Sequence, residues 1–418
     1  MRIAFFIDRF PCLSETFILN QITGLIDRGH EVDIYCDRTD NTEQMHPEVS
    51  EYKLLERVYY NPVPINFIWR YLKGIYLFLL NFPKAPATIC RSLNFFKYSK
   101  TQYGDLGNFL SPLYIVIPWL KPKHYDIIHC HYGRNGLKAI LLEDLGVIDS
   151  KIIVTFHGYD ISRYLQIYGD RVYDCLFKRA DLLQPISQHW YQKLIALGCD
   201  PNEVWLQVHH MGIDCNKFVP TQNKTSNLEK IDIVGIARLV EKKGLRYGIQ
   251  AVAGLIKEYP HLQLSYQIIG DGILRTELEA QIEELGVTKQ VKLLGWKKQQ
   301  EVQAIISQAD LILAPSITST KGDCEGIPVS LMEAMAQAIP VVSTYHSGIP
   351  ELVEDGVTGY LVKEKQIDDL TQKLEHLANK PSLRQQMGLA GREKVLQEYN
   401  IKLLCDRLVE TYQKLLDK

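Results

Sequence analysis

The sequence lacks the short signatures of several common protein classes. Its nine cysteines form no Cys-x-x-Cys pair and are odd in number, which is typical of reduced thiols and not of a disulfide framework or a zinc site. No Gly-x-Gly-x-x-Gly turn follows the first apolar run, so a dinucleotide-binding dehydrogenase is not indicated. An Asp-x-Asp motif that could hold a metal ion is also missing.

A charge excess and an early apolar segment are missing as well. The formal net charge is only −2, which argues against nucleic acid as the main partner. The first ten residues become charged at Asp8 and Arg9 before any long apolar run, so they indicate a first strand and not a signal peptide. From these features we expect a cytoplasmic protein.

Short apolar runs alternate with helical patterns along the chain, which predicts parallel sheets. In the first half these runs are residues 3–7, 32–36, 126–131, 152–157 and 182–187. After a polar stretch, 221–230, they restart as 231–237, 264–270, 291–296, 311–315 and 340–344. For 418 residues this predicts two α/β domains, 1–205 and 226–399, joined by a linker, 206–225. Packing of the helical pattern 400–418 on the first domain stays open.

The segment 57–104 breaks this pattern because it holds seven basic residues, many aromatic residues and no acidic residue. Its apolar run 65–82 is interrupted by Arg70 and Lys73, so a membrane-spanning helix is not expected. One interpretation is an amphipathic helix that lies in an anionic membrane interface. The other is a helical insert with aromatic residues in the core and solvated cations, and the pattern does not decide between them.

The run from Glu325 to Glu333 is the strongest local feature. Pro328 suits the first position of a helix, so Glu325 stands just before that helix and Glu333 falls in its second turn. Carboxylates accept hydrogen bonds from sugar and ribose hydroxyls, and the N–H groups at a helix start favour a diphosphate. The run favours a nucleotide sugar as ligand, although an ordinary surface helix can also carry two acids.

A cationic pair follows the first strand of the second half. Arg238 stands at the carboxyl end of the predicted strand 231–237, and Lys243 precedes a helical pattern that begins at Leu245. Ligands of open α/β sheets bind at this edge. A guanidinium and an ammonium there would neutralise a diphosphate and stabilise the charge that grows on it as a sugar departs. A salt bridge to Glu241 in the same loop, or to another residue, is the structural alternative.

The remaining candidates are weaker when each is taken alone. The turn from Gly270 to Gly272 follows a predicted strand of the second half and precedes a helical run. In the first half, His157 ends a strand, and Ser14 and Glu15 suit the N-terminal cap of the first helix.

A metal site is not expected in the first half. His129 and His131 alternate on one face of a strand, but no further metal ligands accompany them.

Taken together, these motifs resemble glycosyltransferase family 4, whose members have the GT-B fold. The run 347–362, SGIPELVEDGVTGYLV, belongs to the same pattern. In the first half, FPCLSETFI at 10–18, FHGYDIS at 156–162 and MGID at 211–214 are similar to the colanic acid and related exopolysaccharide members in particular. The resemblance implies two Rossmann-like doubly wound α/β domains with a cleft between them.

The same resemblance implies a retaining hexosyl transfer from a nucleotide diphosphate sugar to a hydroxyl group, without a metal ion or another cofactor. Arg238 and Lys243 would hold the diphosphate, Glu325 the donor sugar and Glu333 the ribose. His157 would reach the donor sugar from the other domain. No covalent nucleophile is implied, because the leaving phosphate would help to deprotonate the incoming hydroxyl.

The predicted site residues fall into three overlapping sets. The catalytic set is His157, Glu325, Arg238 and Lys243. The donor-binding set is Arg238, Lys243, Gly270, Gly272, Trp296, Glu325, Gly326, Ile327, Pro328, Val329 and Glu333. The acceptor-side set is Ser14, Glu15, Thr16, His157, Gly158 and Asp160, with Ser14 near the diphosphate and the acceptor.

The expected partners are a nucleotide-sugar donor and a glycan or polyprenyl-diphosphate-linked glycan acceptor. A protein with such an acceptor could sit at the inner face of the plasma membrane. The insert 318–324 is longer than in many relatives and could shape donor or acceptor choice. Two other functions stay open, a GT-B-type sugar-nucleotide epimerase and a non-catalytic nucleotide-sugar-binding partner. The donor sugar, its base and the linkage position are not revealed by the motifs.

Overall fold

The computed structural model describes residues 1–39, 45–121, 123–221 and 230–418. Residues 222–229, which include most of the predicted polar stretch and the end of the predicted linker, lie outside the described residues. The described chain divides into two compact units. Met1–His209 and Cys405–Lys418 form the first unit, and His210–Leu404 form the second.

The first unit is built on a seven-stranded parallel sheet of order β3-β2-β1-β4-β5-β6-β7. Its strands are β1 (Arg2–Arg9), β2 (Glu31–Arg38), β3 (Val58–Tyr60), β4 (Ile127–His131), β5 (Lys151–Phe156), β6 (Leu182–Pro185) and β7 (Trp205–Leu206). All five residues of β4 are buried, as expected for a central parallel strand covered on both faces.

The α-helices of this unit connect the strands. They are α1 (Thr16–Asp27), α2 (Pro47–Glu51), α3 (Phe67–Asn81), α4 (Pro86–Ser92), α5 (Lys100–Tyr103), α6 (Ser111–Val116), α7 (Gly133–Asp144), α8 (Arg163–Tyr168), α9 (Asp174–Arg179) and α10 (Gln188–Ala196). Single 3-10 turns lie at Leu54–Arg57, Gly104–Gly107, Ile117–Trp119, Tyr159–Ile161 and Asp170–Tyr173.

The second unit repeats this architecture on a six-stranded parallel sheet of order β10-β9-β8-β11-β12-β13. Its strands are β8 (Lys230–Ile236), β9 (Gln263–Ile269), β10 (Val291–Gly295), β11 (Leu311–Ala314), β12 (Val341–Thr344) and β13 (Gly359–Val362). Its helices are α11 (Leu245–Glu258), α12 (Arg275–Glu284), α13 (Gln299–Gln308), α14 (Val329–Ala336), α15 (Ile349–Leu352), α16 (Ile367–Ala378) and α17 (Pro381–Glu398), and a 3-10 turn lies at Glu241–Lys243.

The last helix, α18 (Ile401–Leu416), contributes to the core of the first unit from Cys405 onwards. Leu408, Tyr412 and Leu415 pack among the buried residues of β1, β2 and α1. The Tyr412 hydroxyl lies 2.5 Å from Nδ1 of His129 in the buried strand β4.

The ten predicted strands are confirmed, each within a residue or two of its observed ends. Three further strands, β3, β7 and β13, were not predicted. β3 and β7 have only three and two residues, too few for an apolar periodicity to stand out from the neighbouring loops.

Two helix starts differ by a residue or two from the prediction. Pro328 is the N-cap of α14, so the helix begins at Val329 and not at the proline. Ser14 is exposed and is not the cap of α1, whose N-cap is Glu15 without a side-chain capping hydrogen bond.

The segment 57–104 contains β3, α3, α4 and α5. Its aromatic residues Phe67, Trp69, Tyr71 and Tyr76 are exposed, so the interpretation that the aromatic residues belong to the core is wrong for α3, whereas Tyr98 and Tyr103 are buried. None of the helices in the described ranges has the length and hydropathy that a membrane span needs.

Candidate active site

The second sheet has a topological switch point between β8 and β11. β8 pairs with β9 on one side and with β11 on the other, so the chain leaves the two strands in opposite directions. A crevice outside the carboxyl ends of such strands is where open α/β sheets bind ligands. The loop after β8 carries Arg238 and Lys243, and the loop after β11 carries Glu325.

The structure brings Lys243 and Glu325 together at this point. Lys243 Nζ lies 2.9 Å from Glu325 Oε2, and Lys242 Nζ lies 4.0 Å from Glu325 Oε1. Burial alone would raise the pKa of Glu325, but the charges of Lys243 and Lys242 outweigh it and hold this pKa below its usual value. Glu325 Oε1 is buried without a hydrogen-bond partner in the described chain, so it can accept a hydroxyl hydrogen bond from a ligand.

The backbone of Glu325 is fixed by residues that the sequence analysis missed. The Glu325 N–H donates to His346 Nε2 at 3.0 Å, and His346 Nδ1 lies 2.6 Å from Glu364 Oε1. Because Nε2 accepts, Nδ1 must carry the proton and donate to the carboxylate. Ser347 Oγ donates to the Glu325 carbonyl at 2.7 Å. The sequence signal was the place of His346, two residues after the end of β12 and directly before the 347–362 motif.

Three charged side chains hold the insert 318–324 in place through hydrogen bonds and an ion pair. Lys242 Nζ lies 3.0 Å from Asp323 Oδ1 and donates to the Cys324 carbonyl at 3.1 Å. Glu241 accepts from the Thr320 N–H and hydroxyl, and Glu364 accepts from the Thr318 N–H and hydroxyl. Lys243 does form a salt bridge, but its partner is Glu325 and not Glu241, which accepts hydrogen bonds from the insert instead.

Glycines let three loops approach one another closely at this edge. Gly270 has φ +127°, and a Cβ there would overlap the Ala237 carbonyl; a Cβ at Gly272 would lie 2.6 Å from the Leu239 carbonyl oxygen. The Gly270 N–H also donates to the Gly295 carbonyl at 2.9 Å, next to Trp296. The loop after β9 is thus packed between the loop that carries Arg238 and the end of β10.

Two predicted donor-binding side chains are available at this edge. The Arg238 side chain is exposed, and in the described residues it has no ion-pair or hydrogen-bond partner. The Trp296 ring is also exposed. Gly326 is half-buried, Ile327 and Pro328 are buried, and Val329 begins α14.

Glu333 lies in the second turn of α14, as predicted. Burial raises the pKa of its carboxyl to about 7, and no described residue forms a hydrogen bond with this carboxyl. A half-buried carboxyl without a protein partner suits a ligand that brings its own donor groups.

Glu333→Gln should change how stability depends on pH. The folded protein keeps the Glu333 proton up to about pH 7, whereas the unfolded chain releases it near 4.5. The Glu333 carboxyl therefore lowers the free energy of unfolding as the pH rises through this window, and the glutamine does not. Urea unfolding at both ends of the window should show the variant gaining stability relative to the unchanged protein as the pH rises. Parallel pH profiles would contradict the raised pKa.

In the first unit, His157 follows β5 in a buried row of aromatic rings. His157 Nε2 lies 2.9 Å from His131 Nδ1, and the rings of His131 and His129 stack at 4.8 Å. Burial lowers the pKa of His157 to about 3, so this imidazole is neutral near neutral pH. His157 Nδ1 is buried without a hydrogen-bond partner among the described residues. The described chain contains no cluster of three or more potential metal ligands.

The other predicted acceptor-side residues have different surroundings. The Asp160 carboxylate accepts backbone N–H bonds from Gly133, His157 and Gly158 at 2.9–3.0 Å, so it fixes the turn that carries the histidine. Glu15 accepts a hydrogen bond from the Tyr132 hydroxyl at 3.0 Å. Thr16 is half-buried as the first residue of α1.

Comparisons with known proteins agree with this fold. The family model described as Glycosyltransferase Family 4 matches residues 14–217, and the one described as Glycosyl transferases group 1 matches residues 220–394. A protein of Salmonella typhimurium, assigned to colanic acid biosynthesis as a glycosyltransferase, is 37% identical over 417 residues, 99% of this chain and 100% of that protein. The amylovoran biosynthesis glycosyltransferase of Erwinia amylovora is 36% identical over 418 residues, again 99% and 100%.

The solved structure of Anabaena HepE in complex with UDP-glucose shares the fold, with a TM-score of 0.71 at 18% identity over 99% of this chain and 100% of HepE. The architecture is thus the GT-B fold of glycosyltransferases. The chain belongs to glycosyltransferase family 4. It is a glycosyltransferase of exopolysaccharide biosynthesis, and neither the epimerase nor the non-catalytic function is favoured.

Proposed function

We propose that this glycosyltransferase moves a hexose from a nucleotide diphosphate sugar to a hydroxyl of a glycan or polyprenyl-diphosphate-linked glycan, with retention at the anomeric carbon. The observation that carries the proposal is the arrangement of Lys243, Lys242 and Glu325 at the switch point of the second sheet. The two ammonium groups can neutralise the diphosphate of a nucleotide sugar, and the buried carboxylate can accept hydrogen bonds from its sugar hydroxyls.

Each donor-binding residue has a proposed part. Arg238 and Lys243 hold the diphosphate, and Lys242 adds charge beside them. Glu325 accepts from the sugar hydroxyls through Oε1, and Glu333 accepts from the ribose. The backbone of 326–329 provides N–H groups to the phosphates. Gly270 and Gly272 let the neighbouring loops approach closely, and Trp296 borders the same edge. HepE, which has this fold, binds UDP-glucose, and a uridine donor is one candidate here.

In the proposed reaction, the bond between the anomeric carbon and the diphosphate oxygen breaks as the bond to the acceptor oxygen forms. The acceptor proton passes to the leaving diphosphate. Cations fixed in advance around the diphosphate stabilise the charge that develops there, and they make a metal ion unnecessary. A role for His157 at the donor sugar, and for Ser14 near the acceptor, stays a prediction from the family resemblance. A cytoplasmic location at the inner face of the plasma membrane belongs to the same proposal.

Melting curves with a panel of nucleotide sugars test this function. A donor that binds only the folded state raises the melting temperature by mass action, so one nucleotide sugar should give a clear shift that its free sugar does not. The same donor should release nucleotide diphosphate slowly, and a chelator should leave that release unchanged. No shift with any donor, or conversion of the sugar without diphosphate release, would contradict the proposal.

A further inference from the structure

The outward face of α3 consists of large apolar side chains. Ile68, Trp69, Leu72, Tyr76, Leu79 and Leu80 are between 47% and 67% exposed, and Lys73 is the one charged residue among them. A helix at the surface of a water-soluble unit normally turns polar residues outwards. α3 has no such polar face, and exposure of its outer side chains to water is unfavourable.

The inner side of α3 is narrow and firmly attached. Gly74 is buried so close to Leu110 that a Cβ would lie 2.7 Å from its Cδ1, and the Tyr114 hydroxyl donates to the Arg70 carbonyl at 2.6 Å. The Asn66 side chain caps the start of the helix by accepting from the N–H groups of Ile68 and Trp69. The helix is therefore fixed on the first unit through one side, and its apolar residues are exposed on the other.

The apolar surface continues beyond the helix. The ring of Phe109 lies 6.0 Å from that of Phe67 and 5.1 Å from that of Phe95. Ile65, two residues before Phe67 in the chain, is 93% exposed, and Phe96, next to Phe95, is 98% exposed. We call α3 together with Ile65, Phe95, Phe96 and Phe109 the α3 surface. It is larger than one helix face, and single exposed hydrophobic residues do not account for it.

The charged residues of segment 57–104 have one sign. Segment 57–104 contains seven basic residues and no acidic residue, and Lys73, Lys84 and Lys100 are exposed. A second copy of the chain would bring the same positive charge and would repel it. An anionic bilayer offers an apolar interior for the side chains and negative head groups for the cations. The fifteen residues of α3 span about 22 Å, short of the ~30 Å of a bilayer core.

We propose that the α3 surface docks this protein on an anionic membrane, with α3 lying in the interface and its outward apolar residues in the acyl region. The exposed lysines contact the head groups of the anionic lipids. This inference goes beyond the proposed transfer reaction, and it depends on no residue of the donor site.

Vesicle flotation with the full chain tests the proposal. The protein should float with phosphatidylcholine vesicles that contain phosphatidylglycerol, and much less with phosphatidylcholine alone. Leu72→Glu/Leu79→Glu places two charges on the outward side of α3 and should weaken binding by at least about tenfold. Lys73→Gln/Lys84→Gln should weaken it by about fivefold for each cation removed.

Ile167→Glu/Leu389→Glu is the matched control, because these residues are 51% and 55% exposed and lie outside the α3 surface. It should float like the unchanged protein, and both glutamate variants should keep the donor-induced rise in melting temperature. The proposal would be overturned if Leu72→Glu/Leu79→Glu floated as well as the unchanged protein, or if flotation did not depend on the lipid charge. So would light scattering that shows a dimer lost in Leu72→Glu/Leu79→Glu, since a second copy would then cover this face.

Discussion

Lys243→Met should lower kcat by about 100- to 1000-fold, the range for removing one fixed charge that stabilises a transition state. Glu325→Gln should have an effect of similar size. In the structure the two side chains form one ion pair, with Lys243 Nζ 2.9 Å from Glu325 Oε2. The double variant should therefore lose little more activity than either single variant, because residues that act as a unit are not additive. Turnover of the donor identified by the melting panel is the measurement.

Melting temperatures distinguish the contribution of the Lys243–Glu325 pair to catalysis from its contribution to stability. Lys243→Met leaves the buried Glu325 carboxylate with only the more distant Lys242 ammonium, 4.0 Å from Oε1, whereas the double variant with Glu325→Gln leaves no carboxylate to be paired. The double variant should recover much of the lost melting temperature and none of the activity. Lys257→Met, which changes an exposed lysine at the far end of α11, is the matched control and should retain both. Wild-type turnover in Lys243→Met would contradict the assignment of the donor site.

Gly244→Ala should destabilise the second unit and reduce donor binding together. Gly244 has φ +60°, and a Cβ there would overlap the carbonyl oxygen of Pro315 at the start of the loop that carries Glu325. The left-handed conformation alone costs about 1–2 kcal/mol for a residue with a Cβ. Relief of the overlap must move Lys243 away from Glu325 or move that loop. Chemical unfolding and the donor-induced melting shift measure the two effects.

Gly254→Ala is the control for that change, and it lies inside α11, the helix that begins directly after Gly244. A Cβ at Gly254 would have only ordinary contacts, the nearest at 3.5 Å, with Thr371. An alanine inside a helix is more stable than a glycine by roughly 0.5–1 kcal/mol, so this variant should melt slightly higher. Equal unfolding curves for the two variants would mean that the backbone of Gly244 adapts without cost.

Much of the donor site could be predicted because its residues follow strands whose apolar pattern is clear. Once β8 is located, Arg238 and Lys243 are fixed at its carboxyl end by their short distance along the chain. The supports of Glu325 could not be found this way. Lys242 and Glu364 lie 83 and 39 residues from Glu325 along the chain, and no local pattern indicates which distant residue will meet a given carboxylate.

The sequence by itself determined the two α/β halves and the family, and it located the candidate cations and carboxylates at strand ends, since these depend on periodicity and on short motifs. Only the tertiary structure decided what surrounds each group. The apolar pattern of α3 is the same whether a helix is enclosed by protein or exposed, and the difference depends on what packs against it. Likewise, the composition of α14 does not reveal that Glu333 has a pKa near 7, because that value depends on burial by residues from elsewhere in the chain.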